Sequence, residues 1–225
     1  MTPAEVEAFY GALRAADPAP ETELEFVNPY TLLVAVALSA QATDVSVNLA
    51  TRTLFETVTT PEAMLALGED ALRDRIKTIG LFNTKAKNVI LMAHQLIQRH
   101  GGKVPADRAA LEALAGVGHK TAAVVMNVAF GAETIAVDTH VFRVANRTGL
   151  APGATPLAVE ERLEAVTPAG FRRNAHHWLI LHGRHTCKAR TPECWLCPVI
   201  ALCAYPDKRS VPPTLSTRNR DGPIA

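Results

Sequence analysis

Apolar residues recur at three- and four-residue spacing along nearly the whole chain, the spacing that gathers side chains onto one face of an α-helix. The pattern predicts helices over 3–16, 30–39, 44–58, 61–67, 69–78, 84–100, 107–115, 119–130, 139–148, 156–165 and 169–185. Thr-Pro pairs sharpen several of the starts. A threonine hydroxyl accepts from a first-turn amide, and proline suits the first helical position, where an N–H has no intrahelical acceptor to lose. The pairs at Thr2, Thr60, Thr155 and Thr167 each precede a helical pattern, and Thr2 with Glu5 forms a capping box. Only TIAV, 134–137, looks strand-like, and it is too short to seed a sheet. The expected fold class is all-α, with no internal repeat. Prolines and polar residues dominate from 209 onward, so 211–225 is expected to be a loose C-terminal tail.

At 225 residues the chain is long enough for one large domain or two small ones. Its 48% hydrophobic and 20% charged content is that of a globular protein rather than a disordered one. The net charge of +1 neither marks nor excludes a nucleic-acid partner, because a local basic face fits on a balanced protein. LLVAVALSAQA, 32–42, is too short to span a bilayer. The first residues carry acids early and lack the apolar stretch of a secretory signal. A cytoplasmic protein without a membrane partner is expected, and thiols in that compartment stay reduced.

Reduced thiols direct attention to CKARTPECWLCPVIALC, which holds all four cysteines: Cys187, Cys194, Cys197 and Cys203. Four thiolates suit zinc or an iron–sulfur cluster. Structural zinc usually takes two close pairs, whereas the C-x6-C-x2-C-x5-C spacing has one close pair flanked by single cysteines. The spacing leans toward a [4Fe-4S] cluster, with zinc the alternative and disulfides third. His176, His177, His182 and His185 lie just upstream, but their positions alternate between helix faces as packing and surface histidines do.

A second chemical signal is LEALAGVGHKTAAVVMNVAFG, 111–131, an apolar helix, a glycine turn and another apolar helix. Gly116 and Gly118 permit a tight bend, and the amides opening the second helix form an anion site. A P-loop would need Gly-Lys-Thr in succession, but the order is Gly118-His119-Lys120-Thr121. The hairpin suits a nucleic-acid backbone gripped without reading its sequence. Lys120 stands against the helix macrodipole there. It is either a solvated lysine whose stem covers apolar surface or a residue kept for chemistry. Asp138, at the expected N-cap of a later helix, is likewise either a cap or a reactive partner. An amine partly shielded near a helix N-terminus has its charged form disfavoured, which makes it a better nucleophile. A nearby carboxylate would shuttle protons or stabilise a positive sugar-like centre.

LAGVGHKTAAVVMNVAFG, then TIAVDTHVFRVANRTG, then HHWLILHGRHTC and the cysteine loop follow one another in an order that resembles the endonuclease III family. Its members are bifunctional DNA glycosylase/AP lyases of the helix-hairpin-helix superfamily, and the resemblance spans about residues 1–210. It implies two helical domains flanking a DNA-binding cleft. One is a six-helix barrel with the hairpin over 23–132; the other is a [4Fe-4S] cluster domain joining 1–22 to 133–210.

The resemblance also implies that Lys120 attacks the sugar C1′ of an oxidised pyrimidine nucleotide, that a Schiff base and β-elimination follow, and that Asp138 assists base loss. It gives the four cysteines to the cluster. Gln41 in LSAQATD and Leu81 in IGLFNTKAKN match loops that plug the duplex after a nucleotide is extruded. Gly116, Gly118, His119 and Thr121 are expected to meet DNA, and Lys188 and Arg190 to reach its backbone from the cysteine loop. The expected partner is double-stranded DNA containing damaged pyrimidines or abasic sites, bound by a monomer at the nucleoid.

Three rivals fit less well. An adenine-specific mismatch glycosylase would have no lysine at 120 and would carry a catalytic glutamate in an early helix, yet no acidic residue lies between Glu25 and Asp44. A non-catalytic iron–sulfur DNA-binding protein has no use for Lys120 with Asp138, and an electron carrier leaves the glycine turn idle. A related glycosylase with different lesion specificity remains compatible with the motifs.

Overall fold

The computed structural model describes residues 1–212; the tail expected over 211–225 lies almost wholly outside the described residues. Within them the chain forms α1 (Pro3–Ala16), α2 (Pro29–Leu38), α3 (Asp44–Thr51), α4 (Pro61–Leu67), α5 (Glu69–Ile76), α6 (Phe82–His100), α7 (Arg108–Glu112), α8 (His119–Phe130), α9 (Thr139–Thr148), α10 (Pro156–Val166) and α11 (Ala169–His185). Two short 3-10 turns follow in the cysteine loop, and no strand occurs among the described residues. The fold is all-α, as the spacing of apolar residues requires.

Three of the Thr-Pro pairs behave as their chemistry dictates. Thr2, Thr60 and Thr155 each accept from a first-turn amide with proline at the helix start, and Asn28-Pro29 does the same for α2. Thr167 departs from the pattern. Its hydroxyl is buried and shares a 2.9 Å hydrogen bond with Tyr10, so α11 starts without a side-chain cap. The helix expected over 44–58 also stops early, at Thr51. Beyond it the chain continues in turns such as Phe55 N to Thr51 O, 2.8 Å. Thr51, Thr53, Thr57 and Val58 are β-branched and weak helix formers, while Leu54 and Phe55 still bury their side chains. Apolar periodicity therefore outlasts the helix.

Buried side chains form two clusters. The first gathers α2 to α8, with α2 at its centre: Leu32, Leu33, Val34 and Ala35 are fully buried, so the apolar run is a core helix as far as Leu38 and turns outward over 39–42. Among the described residues no helix is long and apolar enough to cross a membrane. The second cluster packs α1 against α9 to α11 through Phe9, Tyr10, Phe171 and Trp178. Trp178 Nε1 also donates to the Asp17 carbonyl at 2.8 Å, fastening the end of α1.

The strand-like TIAV is the crossing between the clusters. Ile135 and Val137 belong to the second core and Ala136 to the first, so alternate side chains enter opposite cores without any strand pairing. Asn127, fully buried in α8, fixes the start of this crossing. Its Nδ2 donates to the carbonyls of Ala132 (2.9 Å) and Thr134 (3.2 Å), and its Oδ1 accepts from Arg173 at 3.1 Å. Asn127→Ala strands these buried partners, at about 1–3 kcal/mol each before water relieves some of them. A loss of about 2–4 kcal/mol in chemical denaturation is expected. A loss under 1 kcal/mol would show that the crossing does not depend on Asn127.

Candidate active site

The hairpin between α7 and α8 owes its shape to one glycine. Gly116 has φ +76, and a Cβ there would stand 3.0 Å from Asn88 Cβ on α6, so both conformation and space exclude a side chain. Gly118 differs from the expectation that it makes the bend. Its φ is −96, open to any residue, and a Cβ would meet nothing within 4 Å. The absent side chain instead leaves open space at the start of α8, which has no side-chain cap.

The side chains on either side of Lys120 are engaged within the protein. His119 turns its ring away to carboxylates, with Nδ1 3.0 Å from Glu112 and Nε2 3.0 Å from Glu160, whose carboxylate also accepts from Arg108 at 2.8 Å. This cluster joins α7 and α8 to α10. Thr121 is buried within the fold rather than presented at the surface.

Lys120 and Asp138 line one open cleft of about 530 Å³ together with Gln41, Asp44, His140 and Arg184. Asp138 is the N-cap of α9, and its Oδ1 accepts from the amides of His140 (2.8 Å) and Val141 (2.9 Å). Capping therefore occupies one oxygen, while Oδ2 takes no hydrogen bond from a described residue. The two explanations for Asp138 are compatible, since the cap holds the carboxylate that faces the cleft.

Burial shapes the floor of the site. His176 donates from Nδ1 to the Ala136 carbonyl at 3.0 Å, and desolvation, aided by His177 and the charge of Lys120, pushes its pKa down to about 3. Asp138 acts weakly in the opposite sense. A neutral imidazole thus pins the crossing segment beside both candidate catalytic residues. Desolvation, then Arg173, likewise lowers His177 to about 4.

Among the described residues only Gln41 (φ 56) and Leu81 (φ 59) are non-glycine residues in the left-handed region. Leu81 is 60% exposed, and the two loops touch: a Cβ on Gly80 would lie 4.0 Å from the Gln41 carbonyl. A strained, solvent-facing leucine gains nothing for the folded protein alone, and such strain concentrates at functional positions.

Sequence reasoning passed over Asp44 and Arg184. Arg184 Nη1 donates to Asp44 Oδ2 and to Glu23 Oε2, each at 2.5 Å, and His185 Nε2 contacts Glu23 Oε1 at 2.7 Å. Burial works against the Glu23 charge, but the bonds from Arg184 and His185 hold its carboxyl below the ordinary range. Asp44 opens α3 three residues after Gln41 in LSAQATD, and that proximity was the available signal.

Cys187, Cys194, Cys197 and Cys203 line a common pocket beside α9 and α11. Arg143 of α9 ties the start of the cysteine loop to α11, donating from Nε to the Cys187 carbonyl at 2.9 Å and from Nη2 to the Gly183 carbonyl at 2.7 Å. Arg147 fixes the loop through the Lys188 and Ala189 carbonyls, each at 2.7 Å. Lys188 is paired with Glu193 at 2.7 Å, whereas Arg190 is exposed and makes no hydrogen bond to a described residue.

Open amides beside a cleft that holds an amine and a carboxylate suit a ligand gripped by its backbone and altered at one residue, the working arrangement of helix-hairpin-helix proteins that act on DNA. The HhH-GPD superfamily of base excision DNA repair proteins matches residues 34–169. Endonuclease III of Escherichia coli (strain K12) is 58% identical over 196 residues, covering 87% of this chain and 93% of its own. A trapped endonuclease III–DNA covalent intermediate superposes with a TM-score of 0.85 at 41% identity, covering 91% of this chain and 96% of its own. A thermostable thymine-DNA glycosylase gives 0.80 at 28% identity, covering 90% and 96%. The chain belongs to the HhH-GPD superfamily and, within it, to the endonuclease III family.

Two outcomes test the site's physics. Leu81→Gly removes left-handed strain of about 1–2 kcal/mol but adds backbone entropy of about 0.5–1 kcal/mol to the unfolded chain. Its stability should stay within about 1 kcal/mol of the wild type, whereas loss of a packed leucine costs more than about 2; a drop of that size would make Leu81 an ordinary packing residue. His176 and His177 bind protons from 6.5 in the unfolded chain but only near 3 and 4 in the fold, so stability is complete above pH 6.5 and falls as the solution is acidified. At pH 5 the loss reaches up to about 2 kcal/mol per ring, and Tm should fall by roughly 5–15 °C. An unchanged Tm between pH 7 and 5 would contradict the neutral burial of these rings.

Proposed function

We propose that this chain excises oxidised pyrimidines from DNA and then cuts the strand at the emptied sugar, using one lysine for both steps. The carrying observation is that Lys120 and Asp138, on helices of two different cores, line one cleft with Gln41. The covalently trapped DNA complex of its solved relative supports the same chemistry.

The damaged nucleotide leaves the duplex while Leu81 and Gln41 fill the gap, offsetting part of the few kcal/mol of lost stacking. The open amides of α8 hold a backbone phosphate. The Lys120 Nζ lone pair bonds to C1′ as the glycosidic bond breaks, and the base departs with the electron pair of the broken bond and takes a proton from water. The unoccupied Oδ2 of Asp138 stabilises positive charge at C1′ and takes a proton from the newly bonded nitrogen. That proton passes from Asp138 to O4′ as the C1′–O4′ bond opens, which leaves a Schiff base at C1′ and restores the carboxylate. Loss of a C2′ proton then breaks the C3′–O3′ bond, and water releases the sugar fragment and restores Lys120.

In this account the two cores are two domains, 23–132 and 1–22 with 133–210, and a monomer binds damaged double-stranded DNA between them in the cytoplasm, at the nucleoid. The Asp44 and Arg184 pair offers an acceptor and a donor to the edge of an extruded base. The cysteines fit a [4Fe-4S] cluster. All four share one pocket, and their spacing, one close pair flanked by single cysteines, favours the cluster over zinc. Cys187, Cys194, Cys197 and Cys203 would hold the cluster, which would supply a redox-capable cross-link stiffening the loop that bears Arg190, and the bond-breaking steps do not pass through it. Lys188, neutralised by Glu193, contributes less to DNA than Arg190 does.

Asp138→Asn separates capping from catalysis, because an asparagine oxygen still accepts from His140 and Val141. Single-turnover base release from a duplex containing thymine glycol should fall about 10²–10⁴-fold with Tm nearly unchanged. A wild-type rate would reduce Asp138 to a cap. A duplex containing a mismatched thymine, run alongside, tests the specificity of the thymine-DNA glycosylase relative; faster release there would displace oxidised pyrimidines as the substrate.

A further inference from the structure

His182 is a buried imidazole with one polar neighbour. It lies on α11, is 7% exposed, and lines the cysteine pocket. Its Nε2 sits 3.6 Å from Cys197 Sγ, and its side chain makes no other hydrogen bond to a described residue. An apolar side chain would fill this position without leaving a ring nitrogen in need of a partner, so the polar atom points to the sulfur.

We infer that His182 donates an Nε2–H hydrogen bond to the Cys197 thiolate and thereby raises the reduction potential of the cluster that the four cysteines hold. This rests on the [4Fe-4S] reading of the pocket. An iron-bound thiolate carries no proton and can only accept, which fixes the proton of the neutral ring on Nε2 and leaves Nδ1 bare. Adding an electron to a cluster increases negative charge on its sulfurs, and N–H dipoles aimed at them favour the reduced state.

The other contacts are unequal to this one. Tyr205 N donates to Cys203 Sγ at 3.4 Å, but that donor is backbone and survives any substitution. Arg147 Nη1 reaches Cys187 Sγ only at 3.9 Å while committed to the Lys188 carbonyl at 2.7 Å. His182 is therefore the side chain through which sequence sets the potential. It also sits one residue from Leu181 and two from Arg184, both of which line the pocket that contains Lys120.

The test uses the full-length protein purified with its natural metal content. Iron and acid-labile sulfide are measured first, and a chain without them overturns both the cluster and the inference. With the cluster present, the one-electron midpoint is measured for wild type, His182→Phe and His182→Gln. The phenylalanine variant should be easier to oxidise, with the oxidised-to-reduced ratio at fixed potential raised about three- to tenfold, which is about 30–60 mV. Glutamine, which keeps an N–H donor, should recover at least half of that shift. Equal potentials in wild type and His182→Phe would overturn the hydrogen bond while leaving the cluster in place. If the phenylalanine variant does not assemble a cluster, electron–nuclear double resonance on wild-type protein labelled with ¹⁵N-histidine decides. A histidine ¹⁵N and an exchangeable proton coupled to the paramagnetic cluster are expected, and their absence overturns the inference.

Discussion

An extended segment that must satisfy two cores at once governs the geometry of this molecule. Ile135 and Val137 are committed to one core and Ala136 to the other, so the crossing cannot slide by a residue without exposing apolar side chains and burying the wrong ones. Asn127 grips its beginning, His176 holds the Ala136 carbonyl, and Asp138 ends it as the cap of α9. The distance between an amine in the first turn of α8 and a carboxylate at the head of α9 is thus a property of packing. Reactivity is built from two helix starts and the short path between them.

Among the described residues, left-handed backbone outside glycine is confined to two neighbouring loops. Gln41 and Leu81 adopt the left-handed conformation from neighbouring loops, while the helices beneath them are well packed and the cap at Thr43 is ordinary. Such conformations cost about 1–3 kcal/mol each and persist only on a scaffold that determines them from outside. The fully buried α2, which leads directly to Gln41, is part of that scaffold. Rigidity and exposure are arranged in series: a core helix, a strained residue, then solvent or DNA.

Local physics made most of the helices legible, because apolar spacing and Thr-Pro caps act within a few residues. The same local character explains the misses. Nothing near Thr167 announces that Tyr10, far away in sequence, will take its hydroxyl, and the apolar spacing of 52–58 persists where β-branched residues end the helix. TIAV looked like a strand because alternation reports two environments on opposite sides, here two cores rather than two faces of a sheet. At the site, Lys120 stood out as a cation set against a helix dipole and the cysteines as a compact group, whereas Asp138 occupied an ordinary cap position and drew notice only beside Lys120. Gln41 and Leu81 came from family resemblance, and their shared backbone conformation is visible only in three dimensions. The side chains of His119 and Thr121 flank Lys120 but point in different directions, one onto Glu112 and Glu160 and the other inward, which sequence alone does not show. Asp44 with Arg184 escaped notice because the pair is separated by most of the chain.

The central claim is a transient covalent bond between Lys120 Nζ and a deoxyribose carbon. Borohydride reduction during reaction with an abasic duplex, followed by proteolysis and mass spectrometry of the cross-linked peptide, addresses that bond directly. The account predicts a nucleotide-derived mass on Lys120 and no adduct in Lys120→Ala. An adduct mapped to another amine, or trapping of undiminished yield in that variant, would contradict it.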